Sequence, residues 1–102
     1  MKKLTIYISF TDEEMALIAE NQKNQAPNQQ YLGFWSDVQP GREEMMIDHI
    51  AKTVNYFIDS DKEEIFFGCD EKELDGILSK IKTESFDVTI IHRDEFRKIS
   101  HI

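Results

Sequence analysis

Cys69, His92 and Arg93 are the residue types in this 102-residue chain that could do chemistry together. A thiol supplies a nucleophile, an imidazole a base near neutral pH, and a guanidinium an anion contact. Cys69 ends and His92 and Arg93 directly follow runs that read as strands, Ile65 to Cys69 and Phe86 to Ile91. Thr11 and Asp12 follow a third such run, which ends at Phe10. In a parallel sheet the carboxyl ends of all strands share one edge, and that edge is where open α/β folds bind ligands. The sequence therefore groups Thr11, Asp12, Cys69, Asp70, His92 and Arg93 as a candidate ligand edge. The same residues have a plainer use. Strands end where the chain leaves the core, and Asp12 and Asp70 suit helix starts. Gly68, Asp70 and Glu71 flank Cys69, and nearby acid raises a thiol pKa. Neither Cys-x-x-Cys nor a cysteine followed five residues later by arginine occurs. An enzyme built on Cys69 and His92 ranks last among the readings, and none is expected.

Metal and cofactor signatures fail on spacing. His92 and Asp94 form a His-x-Asp pair with His101 nearby, but no short-spaced set supplies the three or four ligands a metal needs. Asp59, Asp61 and Glu63 imitate the opening of a calcium loop. Its sixth position should then be Gly and is Glu64, and its twelfth should be Glu and is Asp70. Gly33, Gly41, Gly68 and Gly76 are isolated, so no phosphate-binding loop is present. Pro40-Gly41-Arg42 precedes a helix start that could hold an anion, but Glu43 and Glu44 oppose it. No metal and no cofactor is expected.

Charge is the strongest compositional feature. Twenty acids against 12 basic residues give a net charge of −8, which argues against direct nucleic-acid binding. Residues 59 to 75 hold Asp59, Asp61, Glu63, Glu64, Asp70, Glu71, Glu73 and Asp75 against Lys62 and Lys72. A solvated face explains such a run, and so does a surface for a basic protein partner. Asp59, Asp61, Glu63, Glu64 and Glu73 are its candidate contacts. Tyr31 and Trp35, beside an Asn- and Gln-rich stretch, are the candidate aromatic anchors, with Arg42 just beyond. The leading expectation is a small acidic binding or regulatory protein of inhibitor or adaptor type, acting by protein–protein contact. The alternative is a small-ligand domain using the strand ends.

These residues need elements to hold them. Leu4, Ile6, Ile8 and Phe10 alternate with Thr5, Tyr7 and Ser9, which predicts a strand with those two faces. Thr11 and Glu14 have the spacing of a capping box, so a helix should start there and fade across residues 21–25. Tyr31 to Trp35 is a strand weakened by Gly33. After Gly41, the positions Met46, Ile47, Ile50, Ala51, Val54, Phe57 and Ile58 predict the longest helix. A second stripe, Met45, His49, Lys52 and Tyr56, runs beside them. Ile65 to Cys69 is apolar throughout and reads as a strand buried on both faces. Leu74, Ile77, Leu78 and Ile81 predict a helix over 71–82, capped by Asp70, and a last strand runs from Phe86 to Ile91. Phe96 and Ile99 could form a final helical turn.

The order βα(β)αβαβ predicts one α/β domain over residues 1–102, with helices packed on a small, mostly parallel sheet. Hydrophobic residues are 40% of the chain, enough for one core. Thirteen of them should meet in it: Leu4, Ile6, Ile8, Ile47, Ile50, Val54, Ile65, Phe67, Leu74, Ile77, Leu78, Val88 and Ile90. A single cysteine fits a reducing compartment. Without a cleavable leader or a membrane-length apolar run, the expected location is the cytoplasm.

Overall fold

Alternation of period two and of period three to four divides the chain as the sequence predicts. The computed structural model describes residues 2–25, 28–35 and 41–93, except the side chains of residues 12, 21–25, 34 and 35. The elements are β1 (Lys2–Ile8), α1 (Asp12–Gln25), β2 (Gln29–Trp35), α2 (Glu43–Tyr56), β3 (Glu64–Cys69), α3 (Glu71–Lys80) and β4 (Phe86–His92). A 3₁₀ turn, Phe57–Asp59, extends α2, and another, Thr83–Ser85, leads into β4. The last helical turn expected around Phe96 and Ile99 lies outside the described residues. No helix among the described residues is long and apolar enough to cross a membrane.

All four strands are parallel and lie in the order β2-β3-β1-β4. The chain runs outward from β1 to β2 over α1, then returns twice in the opposite direction, over α2 and α3. With right-handed crossovers, a reversal of direction moves the helix to the other face of the sheet. The packing agrees. Ile50, Ala51 and Val54 of α2 and Ile77 of α3 meet Leu4, Ile6, Ile8, Ile65, Phe67 and Cys69 on one face. Met15 of α1 meets Tyr7, Phe10 and Phe66 on the other. All thirteen expected core residues fall in the first cluster, with Ile47, Leu74, Leu78, Val88 and Ile90 only partly buried at its margin. β3 is buried from Ile65 to Cys69, as a strand covered on both faces should be.

One face assignment is corrected. Phe10 was expected beside Ile8 but packs with Tyr7 in the α1 cluster, ring centroids 5.3 Å apart. β1 ends at Ile8, and Ser9 takes a left-handed φ of 63°. That turn breaks the alternation and sends Phe10 to the opposite face. The capping box closes as expected. The Thr11 amide donates to Glu14 Oε1 at 3.0 Å, and the Glu14 amide donates to Thr11 Oγ1 at 3.1 Å. Asp70 holds the N-cap position of α3 in an extended conformation, but its side chain makes no capping bond. The second stripe of α2 is solvent-facing: Met45, His49, Lys52 and Tyr56 are all exposed.

Candidate interaction edge

Because every strand points the same way, the sheet has an amino edge and a carboxyl edge. β3 links them, and its six residues at about 3.3 Å each hold them about 20 Å apart. This divides the acidic run, which the sequence treats as one surface. Asp59, Asp61, Glu63 and Glu64 lie at the amino edge, while Asp70, Glu71 and Glu73 lie at the carboxyl edge.

Glu63 and Glu64 sit among lysines and amides. Lys2 Nζ donates to the carbonyls of Ser60, at 2.7 Å, and Lys62. Lys3 Nζ stands 3.9 Å from Glu64, Asn28 donates to Glu63 at 3.4 Å, and Gln29 donates to Glu64. Lys2, Lys3, Glu63 and Glu64 line an open depression of about 450 Å³ in which the two charge signs alternate.

At the carboxyl edge the chain leaves β1 toward one face and β3 toward the other, so the crevice between these neighbours is the topological switch point. The Ser9 amide closes it at the bottom by donating to the Cys69 carbonyl at 3.0 Å. Thr11 is exposed beside it and Asp70 is half-buried. The side chain of Asp12 lies outside the described residues. Cys69 is fully buried, and burial together with the nearby Glu73 and Asp70 carboxylates pushes its thiol up to about 12. No thiolate is available there near neutral pH.

His92 does not sit on the strand next to Cys69. Both residues pair in register with Ile8, from opposite sides. Two strand spacings of about 4.8 Å and a buried isoleucine therefore separate thiol and imidazole. Arg93 is engaged: its Nε donates to Glu14 Oε1 at 2.8 Å, tying the end of β4 to the first turn of α1. The Thr11 amide, foremost, and Arg93 hold the Glu14 carboxyl below its ordinary value.

The aromatic candidates occupy a different place. Tyr31 pairs in register with Phe66 and stacks on its ring, centroids 5.1 Å apart and planes 27° apart. It is half-buried at mid-strand on the α1 face, away from both edges. Trp35 pairs its backbone with Cys69, at the carboxyl end of β2; its side chain lies outside the described residues. Arg42 is exposed at the N-cap position of α2. It therefore belongs to the carboxyl edge, whereas Tyr31 does not.

Glu73 departs furthest from the sequence reading, which placed it among solvated acids. Its residue is 2% exposed, and neither carboxylate oxygen has a hydrogen-bond partner. The nearest cation is the Lys72 ammonium, 3.8 Å from Oε1. Desolvation drives the Glu73 carboxyl above its ordinary value; Lys72 pulls it down, and Asp70 and Glu43 push it further up. The signal was present in the spacing. Glu73 lies four residues before Ile77, so it shares the inward stripe of α3. Glu43, in the first turn of the neighbouring α2, accepts through Oε2 from the Gly41 amide at 3.1 Å. Among the described residues no three His, Cys, Asp or Glu side chains converge as a metal site requires.

No protein-family model, curated protein or solved structure matches this chain.

Proposed function

We propose that this chain is a non-enzymatic binding protein that docks a basic protein partner on the carboxyl edge of its sheet. One observation carries the reading: the acids of the two edges are differently employed. At the amino edge Glu63 and Glu64 accept bonds from Asn28 and Gln29, and Lys3 stands 3.9 Å from Glu64, whereas Asp59 and Asp61 make no ion pair among the described residues. At the carboxyl edge, Asp70, Glu71 and Glu44 make no ion pair among the described residues, and the buried Glu73 carboxylate has the Lys72 ammonium 3.8 Å away. All three helices start there with acids in their first turns; Glu14 of α1 is paired with Arg93, whereas those of α2 and α3 include Glu44 and Glu71. Helix dipoles stabilise those acids, but acids gathered on one edge also steer an oppositely charged partner. A small-ligand site at Thr11, Cys69 and His92 has less support, because Ile8 stands between the last two. A reducing, cytoplasmic setting suits the lone thiol and belongs to the same reading.

The test compares capture of a protein partner from the source cells by three tagged forms. The amino-edge variant carries Asp59→Asn, Asp61→Asn and Glu63→Gln; the carboxyl-edge variant carries Asp70→Asn, Glu71→Gln and Glu44→Gln. A partner held by the wild type and the amino-edge variant, lost by the carboxyl-edge variant and released as salt rises is the expected result. Equal retention by the carboxyl-edge variant overturns the reading.

A further inference from the structure

Six exposed residues follow one line down the solvent side of α2. They are Arg42, Met45, His49, Lys52, Tyr56 and Asp59, at intervals of three, four, three, four and three. Such spacing holds one face of a helix. The ends keep the line. Arg42, at the N-cap position, has right-handed helical angles, and Asp59 closes the 3₁₀ turn three residues beyond Tyr56. We infer that a second copy of this chain docks here, its α2 antiparallel to the first across a twofold axis. This self-association is separate from partner docking on the carboxyl edge.

Three features select a second copy. First, the intervals read the same from either end. An antiparallel helix centred between Ile50 and Ala51 therefore sets Arg42 opposite Asp59 of the second copy, Met45 opposite its Tyr56 and His49 opposite its Lys52, and each pair occurs twice. Second, the pairs are complementary. Arg42 and Asp59 have opposite charges and make no ion pair among the described residues. A thioether packs well against an aromatic ring, and an ammonium donates to an imidazole nitrogen. A parallel pairing would instead set Arg42 on Arg42 and Asp59 on Asp59. Third, the apolar members are placed for contact. Among the described residues the exposed large hydrophobics are Leu17, Met45 and Tyr56, and the last two share this line at 71% and 76% exposure. Phe57, itself packed on the core, meets the Tyr56 ring edge-on, centroids 5.4 Å apart. The ring is thus braced before a second copy arrives, which lowers the cost of ordering it.

Charge on this face also permits the approach. The chain carries −8 overall, so two copies repel in most orientations. Along this line, however, Arg42 and Lys52 outnumber Asp59. An acidic partner would meet Asp59 as a like charge, whereas a second copy brings Arg42 to it. The line spans about 25 Å by helical rise. One helix pair of that length buries little area, so the dimer should be weak and reversible.

Sedimentation equilibrium over about 1 μM to 1 mM protein reads the association. A monomer–dimer equilibrium is expected, and Tyr56→Ser should weaken it at least about tenfold. Arg42→Glu and Asp59→Lys should each weaken it about threefold. An equal mixture of those two variants should form heterodimers as tight as the wild-type dimer, and the double variant should recover as well. All these positions are exposed, so the variants should fold, and circular dichroism checks that they do. Disulfide trapping reads the direction. Arg42→Cys and Asp59→Cys, mixed, should cross-link to each other under mild oxidation. Neither should cross-link to itself, because antiparallel helices hold identical ends about 25 Å apart. Cys69 is buried and stays out of the reaction.

A monomer throughout the concentration range, a dimer indifferent to Tyr56→Ser, no recovery on mixing the charge variants, or self-cross-linking of Arg42→Cys each overturns the inference. Species that grow beyond the dimer overturn it too, since a closed twofold pair occupies this face on both copies.

Discussion

Gly76 of α3 stands so close to Ile47 of α2 that a Cβ built on it would lie 2.9 Å from Ile47 Cδ1. The two helices start at the same edge, and this contact sets how near they run. The opposing atom is the far end of a flexible side chain, so alanine requires only a small movement of Ile47. Against that stands a helix-propensity gain of about 1 kcal/mol over glycine. Gly76→Ala should therefore change stability by less than about 1 kcal/mol in denaturant melts. Gly76→Val should cost about 1–3 kcal/mol by forcing the helices apart, and pairing it with Ile47→Ala should recover part of that loss.

Ile50 is fully buried, while Leu78 is only partly buried at the margin of the same cluster. Truncating Ile50 to Ala should cost about 2–5 kcal/mol. The same change at Leu78 should cost clearly less, because the site can relax toward solvent. Chemical denaturation of both variants checks the order. Equal losses would mean that α3 buries a wider arc than its contacts indicate.

Two glutamates should tilt the pH dependence of stability in opposite directions. Burial raises the folded pKa of Glu73 above the ordinary carboxylate value of 4.5, so the folded state holds this proton more tightly than the unfolded chain. Stability then falls as pH rises from 4.5 through the raised value. Glu73→Gln should remove that fall, leaving the variant more stable than wild type at pH 7 and little changed at pH 4. Glu14 behaves inversely. Its folded pKa is lowered, so its contribution is present above 4.5 and is lost as pH falls through the folded value. Glu14→Gln should cost up to about 1 kcal/mol at pH 7, in the range of a helix cap, and almost nothing at pH 3. Urea melts across this range test both signs.

Cys69 should be inert in the native protein. Its thiol is buried and pushed up to about 12, so a disulfide reagent at pH 7 should react only as fast as the chain opens. In denaturant it should react like an ordinary thiol. Fast native reaction would show that the end of β3 is open to solvent.

Features decided by neighbouring residues were legible in the sequence. The Thr11–Glu14 box, the all-apolar β3 and the Ile47–Ile50–Val54 stripe each depend on local spacing and appear where expected. Features decided by pairing were not. Periodicity tells which side of a helix faces inward, not which strands become neighbours, so Cys69 and His92 were grouped at one edge with no sign that Ile8 divides them. The acidic run looked continuous because charge is counted along the chain, and β3 carries its two halves to opposite edges. Glu73 was misread because its polarity was weighed above its place on the stripe of Ile77. Ser9 gave no warning of its left-handed turn, since serine seldom adopts one.

The position of β1 bears on how the chain assembles. β1 precedes the other three described strands in the chain, yet its ladder partners begin at Glu64 on one side and Phe86 on the other. Nothing near it in sequence can satisfy its amides, and no hairpin can nucleate it. Leu4, Ile6 and Ile8 emerge before both of their partner strands and wait with both edges open until β3 and β4 are made. Folding should thus be slow for a domain of this size, as long-range parallel pairing generally is. The nascent chain is most exposed to aggregation before β4 emerges. The centre of the finished sheet is the last part of it to be completed.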